Sequence, residues 1–535
     1  MRNLFFLFAS ILFLNIEVLA QTKLLTVAES SEYTLTSTHQ NVLDFIQKLD
    51  KNNPHIHIKT IGNTTEGRTI PMVILANPMI DSPQKLKNDS RLIVYIQANI
   101  HAGEVEGKEA AQALARDLLK NPQSDYFKNL IILIVPNLNA DGNDKISPEN
   151  RTNQNGPKAV GLRHNGQFLD INRDAMKLET PELQAVVSQI FNAWDPAIVV
   201  DMHTTNGSYH VEPVTFTWQM NPNGNRNLIN YMRDNMMPSV SQTLKEKYQT
   251  LNCFYGEFID RADYSKGWIS YAAETRYMTN YVGVRNRLAI LNENYVYADY
   301  KSRVIGSYNL LLSILDYAVL NKTEIKNLIA EADDQSLNRK TILHADSFAL
   351  TYKGKPTPQQ ETIMSYETEF YQDENGRTRM RKTDKQVNVT VPYIADYYPV
   401  KQIAMPYAYL LEYPDKAILK LLKLHGIEVA QLKETKTFDV ESYKIKNLKP
   451  DNRLNQGHYL NTIEGEYQKM LKEFPQGTYY VKTNQKLGNL AAYLLEAESD
   501  DGLLKWNFFD RYLVPQWGNY YFPYPIYRLL QTTEF

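Results

Sequence analysis

Two rhythms of apolar residues alternate along the first three-fifths of the chain. Dense runs rich in β-branched residues occur at 70–76 (IPMVILA), 91–98 (RLIVYIQA), 130–136 (LIILIVP) and 197–202 (AIVVDM). Runs of this length bounded by polar turns predict strands buried on both faces. Between them the spacing becomes helical. Val42, Phe45 and Leu49 share one face of 38–49, stretches 104–119 and 181–191 read as helices, and Val304, Tyr308, Leu311, Leu315 and Val319 form a stripe. A shorter apolar run lies at 288–291. The alternation predicts an α/β domain over residues 21–330, a mixed central sheet flanked by helices. In such sheets ligands sit beyond the C-terminal ends of the strands, where His101 and His203 fall.

Residues 331–340 are polar and read as a linker. Beyond them 387–391, 404–411 and 427–432 read as strands, and 417–424 as a helix stopped at Gly426. With 478–482 and 490–495 they predict a C-terminal α+β domain, 341–535, with no assigned role. His425, His458 and the Asp500-Asp501 pair read there as solvated positions.

A chain of 535 residues with 43% hydrophobic and 22% charged positions fits two ordinary globular domains. A net charge of −2 gives no basic field for nucleic acid or an anionic membrane surface. Cys253 is the single cysteine, which excludes an intramolecular disulfide and a thiolate zinc cluster. Any metal must be held mainly by His, Asp or Glu. At the N-terminus Arg2, the apolar run 4–16 and Val18-Leu19-Ala20 before Gln21 read as a signal peptide, 1–20. That run is short of the ~20 residues of a span, and no other stretch reads as long and apolar enough. The expectation is an exported chain, periplasmic or secreted. Absence of disulfides favours a bacterial periplasm, and no cysteine stands at the cleavage point to take a lipid.

His101-Ala102-Gly103-Glu104 sits between a strand and a helix. An imidazole and a carboxylate so placed can grip one metal ion from one side. A hydrolytic zinc site needs a third ligand and an open position for water. His203, directly after a buried strand, is the first candidate; His164 and His210 are alternatives that otherwise read as solvated loop histidines. The second His-x-x-Glu, His425 to Glu428, reads as structural, a histidine at a helix C-terminus where the dipole favours a cation, then a strand-surface carboxylate. Asp170 can orient an imidazole through its second nitrogen. Asn172-Arg173 offers a fork of donors for a carboxylate, and Glu293 a base for metal-bound water. Taken singly, these are also what an Asx turn or a solvated strand end would supply.

Together GNTTEGR (62–68), HAGE (101–104), PNLNADG (136–142), DINR (170–173), the strand–His203 junction and ILNEN (290–294) resemble, in order, the zinc metallocarboxypeptidases of the carboxypeptidase A type. The resemblance covers roughly residues 30–320. It implies one Zn2+ per chain held by His101, Glu104 and His203, with Asp170 behind His101. Glu293 would be general base and then acid, and Asn172 with Arg173 would clamp the substrate's terminal carboxylate. For the oxyanion donor Arg163 is preferred over Arg151; for the tyrosine covering the substrate, Tyr271 over Tyr281. The family's long activation prodomain is missing, so activity would need no such removal. The implied function is release of C-terminal residues from peptides. The alternatives are a zinc amide hydrolase of the same fold acting on cell-wall peptides or acyl-amino acids, and a catalytically silent binding protein.

Overall fold

The computed structural model describes residues 24–339, 347–413, 415–513, 515 and 520–535. The signal-peptide reading at 1–20 lies outside them. Ten strands belong to the first part of the chain: β1 (Ile56–Asn63), β2 (Thr69–Leu75), β3 (Leu92–Ala98), β4 (Leu130–Val135), β5 (Ile198–Thr205), β6 (Val214–Trp218), β7 (Asn252–Phe254), β8 (Glu257–Phe258), β9 (Trp268–Ile269) and β10 (Leu288–Tyr295). Eight of them form one sheet in the order β1-β2-β4-β3-β5-β10-β6-β7. The middle strands β4, β3, β5 and β10 are parallel, whereas β2 and β6 join them antiparallel. This is the mixed α/β sheet the alternation predicts. The runs at 91–98, 130–136 and 197–202 lie in its parallel centre, where strands buried on both faces are mostly apolar until they near the site. β4 and β5 are buried throughout.

Helix Glu106–Leu118 packs on one face beside Tyr300–Leu320. The latter corrects one sequence expectation, because it is long and apolar enough to cross a membrane. It is a core helix instead. Most of it is buried, and Arg303 within it is fully buried, with its Nε donating to Glu106 at 3.2 Å.

The expected linker also differs. Residues 331–337 continue helix Lys322–Leu337, whose Ile325, Ala332, Asp333 and Ser336 are buried. Arg287 donates to both Asp333 oxygens at 3.0 Å, so a polar stretch is here an anchored helix face.

Beyond it stand β11 (Ser347–Gln372), β12 (Thr378–Ala404), β13 (Ala408–Leu411), β14 (Ala430–Gln431), β15 (Lys436–Pro450), β16 (Asn461–Phe474), β17 (Tyr479–Lys482) and β18 (Ile526–Leu529). β11 and β12 form a long hairpin that joins β9 and β8 in a second sheet, β11-β12-β9-β8. Tyr393 and Ile394 of β12 pair with Trp268 and Ile269. A third, antiparallel sheet runs β14-β17-β13-β18-β15-β16. Helix Lys416–His425 packs back onto Val187–Phe191 of the first region, and one apolar core spans both.

Candidate active site

β3 ends at Ala98, and the chain turns through His101 and Glu104 before the helix begins at Glu106. The Glu104 amide donates to the His101 carbonyl at 2.9 Å, which closes the turn. Gly103 is required by close approach: a Cβ there would meet Arg151 Cδ at 2.6 Å and the Gly161 carbonyl at 2.9 Å. β5 runs parallel to β3 and presents His203 over the same end of the sheet. The three side chains converge and are nearly inaccessible. His101 Nδ1 lies 3.1 Å from Glu104 Oε1, His203 Nδ1 lies 3.1 Å from Glu104 Oε2, and the two Nδ1 atoms are 3.2 Å apart.

These separations fit a metal. Donors ~2.0–2.1 Å from a zinc ion at tetrahedral angles stand roughly 3.3 Å from one another. Two buried imidazole nitrogens 3.2 Å apart otherwise have little reason to face each other. The far nitrogens are engaged as well. His101 Nε2 is 2.9 Å from Asp170 Oδ1, and His203 Nε2 is 2.9 Å from Asp201 Oδ2. Carboxylates behind ligating imidazoles fix ring and tautomer. Asp201 accepts from Gln97, whose oxygen accepts from Tyr95 OH, so a polar chain runs under the site through the sheet. Sequence reading missed Asp201, although it is two residues before His203 and therefore on the same strand face.

Charge follows the same plan. Burial works against the Glu104 carboxylate, yet His101, Arg151 and His203 hold it well below the usual range. Burial likewise opposes a charged His203, but Asp201 and Glu104 raise it well above normal. Asp170 is held far down by His101, Arg163 and Arg173 against its own burial.

A cleft of about 260 Å³ opens beside the triad, lined among others by His101, Glu104, Arg163, Asn172, Arg173, Tyr271 and Glu293. Glu293 is the register partner of His203 across β5 and β10, so both side chains leave the sheet on one face. Burial pushes its carboxyl up to about 8; His203 pulls against this and the Glu104 charge adds to it. A bound dication would draw it back down.

Arg163 lines the cleft, donating to Glu104 at 3.2 Å and to Asp170 at 2.9 Å. Arg151 also reaches Glu104, at 3.0 Å, but its other donors go to the Thr204 carbonyl and Gln154. Asn172 accepts from the Met278 amide at 3.0 Å, which ties the 170–173 turn to the segment opposite. The Arg173 guanidinium lies 4.5 Å from the centre of the Tyr277 ring. Tyr271 lines the cleft with its hydroxyl 3.2 Å from the Trp218 carbonyl. Tyr281 does not: it is fully buried, and its hydroxyl meets His425 Nδ1 at 2.8 Å. Tyr255, Tyr277 and Thr279 also face the cleft. They lie in the stretch between His203 and Glu293, where no periodic signal marks them.

Residues 42–293 match the zinc carboxypeptidase family. That stretch belongs to the family. Carboxypeptidase 2 of Trichophyton rubrum is 22% identical over 507 residues, 91% of this chain and 85% of the relative. Carboxypeptidase D of Rattus norvegicus is 27% identical over 183 residues, 32% of this chain and 12% of its own. A metallo-carboxypeptidase structure from Burkholderia cenocepacia aligns with TM-score 0.39 and 17% identity, over 53% of this chain and 70% of that one. This zinc carboxypeptidase thus shares with the fungal relative a length well beyond its catalytic sheet.

Other sequence expectations need correction. His210 is buried, its ring 3.7 Å from that of Tyr295, and is no solvated loop residue; His164 stays in a half-buried loop. His425 is fully buried between Tyr281 and the Met176 carbonyl, and burial pushes it down to about 3. It is therefore neutral, and the helix dipole is not what places it. Glu428 precedes the short β14 rather than sitting on a strand surface. Asp501 is buried and accepts from the Arg276 amide at 2.8 Å, with Asp500 beside it. Half-buried His458 meets Glu179 at 2.9 Å.

The C-terminal region also touches the site. Gln456 Oε1 accepts from the Asp170 amide at 2.7 Å. Gln456→Ala removes that acceptor. A hydrogen bond worth ~1 kcal/mol translates into an expected fall of roughly fivefold in kcat/KM at unchanged zinc content. Steady-state kinetics beside metal analysis checks it, and an unaltered rate would deny the loop any bracing role.

Proposed function

We propose that this metallocarboxypeptidase is an exopeptidase that reads the free carboxylate at the end of a peptide and releases the last residue. One observation carries the reading: a single cleft has His101, Glu104 and Glu293 on its wall together with Asn172 and Arg173, and His203 stands directly behind it against His101 and Glu104. Bound there, zinc supplies an acidified water and a Lewis acid for the scissile carbonyl. Glu293 takes the proton from the attacking water at a carboxylate oxygen. It later gives that proton to the leaving amine nitrogen. Arg163 directs its guanidinium N–H groups at the oxygen where negative charge develops. Arg173 holds the terminal carboxylate with charge-assisted hydrogen bonds, steadied by Tyr277 against one face of its guanidinium. Tyr271 covers the bound residue. The N-terminal apolar segment supports export of the chain.

A panel of matched peptides with free and amidated C-termini tests this. Free peptides should lose single terminal residues, and amidated ones should be cut at least ~100-fold less efficiently. Arg173→Ala should raise KM for the free peptides and narrow the gap. Equal cleavage of both sets would turn the assignment toward an amide hydrolase with no end recognition.

A further inference from the structure

A second group of metal-binding side chains lies at the edge of the main sheet and shares no residue with the catalytic cleft. His210 and Glu212 lie just before β6, and Cys253 is on the neighbouring strand β7. One donor atom from each, an imidazole nitrogen, a carboxylate oxygen and the Cys253 Sγ, lies within 4.8 Å of the other two. All three residues are almost wholly buried, at 3%, 2% and 2% exposure.

Their polar atoms are poorly served. His210 Nδ1 and Glu212 Oε2 are both buried without a hydrogen-bond partner. They stand 3.6 Å apart, too far to satisfy each other. The remaining valences are fixed by the surroundings. Glu212 Oε1 accepts from the Met364 amide at 2.8 Å, and the His210 ring is stacked on Tyr295. Two orphaned atoms pointing into one space with a thiol nearby are costly unless something fills the gap.

The charge around them is also one-sided. Glu361 of β11 accepts from the Phe254 amide at 2.9 Å, next to Cys253 in sequence. Glu212 and Glu361 both lie close enough to Cys253 for their charges to bear on the thiol. Lys245 offsets part of this charge. A divalent cation would relieve this excess of acid.

We propose that His210, Glu212 and Cys253 form a second metal site. It takes a zinc-class divalent cation through imidazole nitrogen, carboxylate oxygen and thiolate sulfur. The thiol loses its proton to solvent as the S–metal bond forms. A mixed N, O, S donor set suits zinc or cobalt and disfavours magnesium or calcium. The place in the fold gives it a role. β11 crosses this corner: the Val211 amide donates to the Met364 carbonyl at 2.7 Å and Ser365 Oγ to the Tyr209 carbonyl at 2.7 Å. The ion would fasten the β11–β12 hairpin to the end of the catalytic sheet.

Cobalt substitution of the full-length protein tests this without reference to turnover. Because Cys253 is the single cysteine, an intense sulfur-to-cobalt charge-transfer band can arise at no other place. Two equivalents of Co(II) per chain and such a band are expected. Cys253→Ser should abolish the band and one equivalent. His203→Ala should keep the band while losing the other equivalent, which separates failure at the catalytic triad from failure here. A band-free wild-type spectrum would overturn the proposal without any variant, and so would full metal retention in Cys253→Ser.

Discussion

Glu293→Gln should keep its zinc and lose catalysis by on the order of 10³-fold in kcat. The side chain is nearly isosteric, so the β5–β10 register that pairs position 293 with His203 has no cause to move. What disappears is the proton acceptor. An amide cannot take the water's proton, nor return one to the leaving nitrogen, so both halves of the reaction fail together. Substrate binding should be spared, because Arg173, Asn172 and Tyr271 are untouched. Metal analysis, single-turnover rates and binding of a non-cleaved peptide read the three quantities separately. Turnover within tenfold of wild type would remove Glu293 as the base and leave the water to be activated by another group.

The second large effect is expected at the triad. His203→Ala leaves one imidazole and one carboxylate, too few to hold zinc in a closed hydrolytic arrangement. Zinc at this site should be lost on dialysis and peptidase activity should vanish with it. A cost to folding is expected too, because Asp201 would remain buried with Gln97 as its remaining close partner. His203→Gln, which keeps much of the side chain's bulk, should show the same metal loss with a smaller drop in melting temperature. Full zinc content in both variants would strike His203 from the ligand set.

Much of this architecture could be read along the chain. The parallel strands are continuous apolar runs because helices cover both faces of the sheet, and continuous runs are easy to see. His101, Glu104, His203 and Glu293 follow directly from such strands. What was hidden depends on contacts between distant segments. Tyr277 matters through Arg173, and Gln456 through the Asp170 amide; neither has a local pattern. The β11–β12 hairpin was legible only in part, since much of it is exposed and charged and lacks the alternation that marks a half-buried strand. The segment 331–337 misled because acidic residues dominate it, although Asp333 is bound to Arg287. Buried Asp501 and half-buried Asp500 read as surface for the same reason: composition does not reveal a partner more than two hundred positions away, as Arg276 is.

That last contact has a consequence for how the enzyme comes into being. Arg276 and Asp170, close in sequence to the cleft-lining Tyr277 and Asn172, are each tethered to the final fifth of the polymer, through Asp501 and Gln456. During synthesis the half with His101, Glu104 and His203 leaves the ribosome first, before either tether can form. Proteolytic competence should therefore arrive late, after nearly the whole chain has emerged.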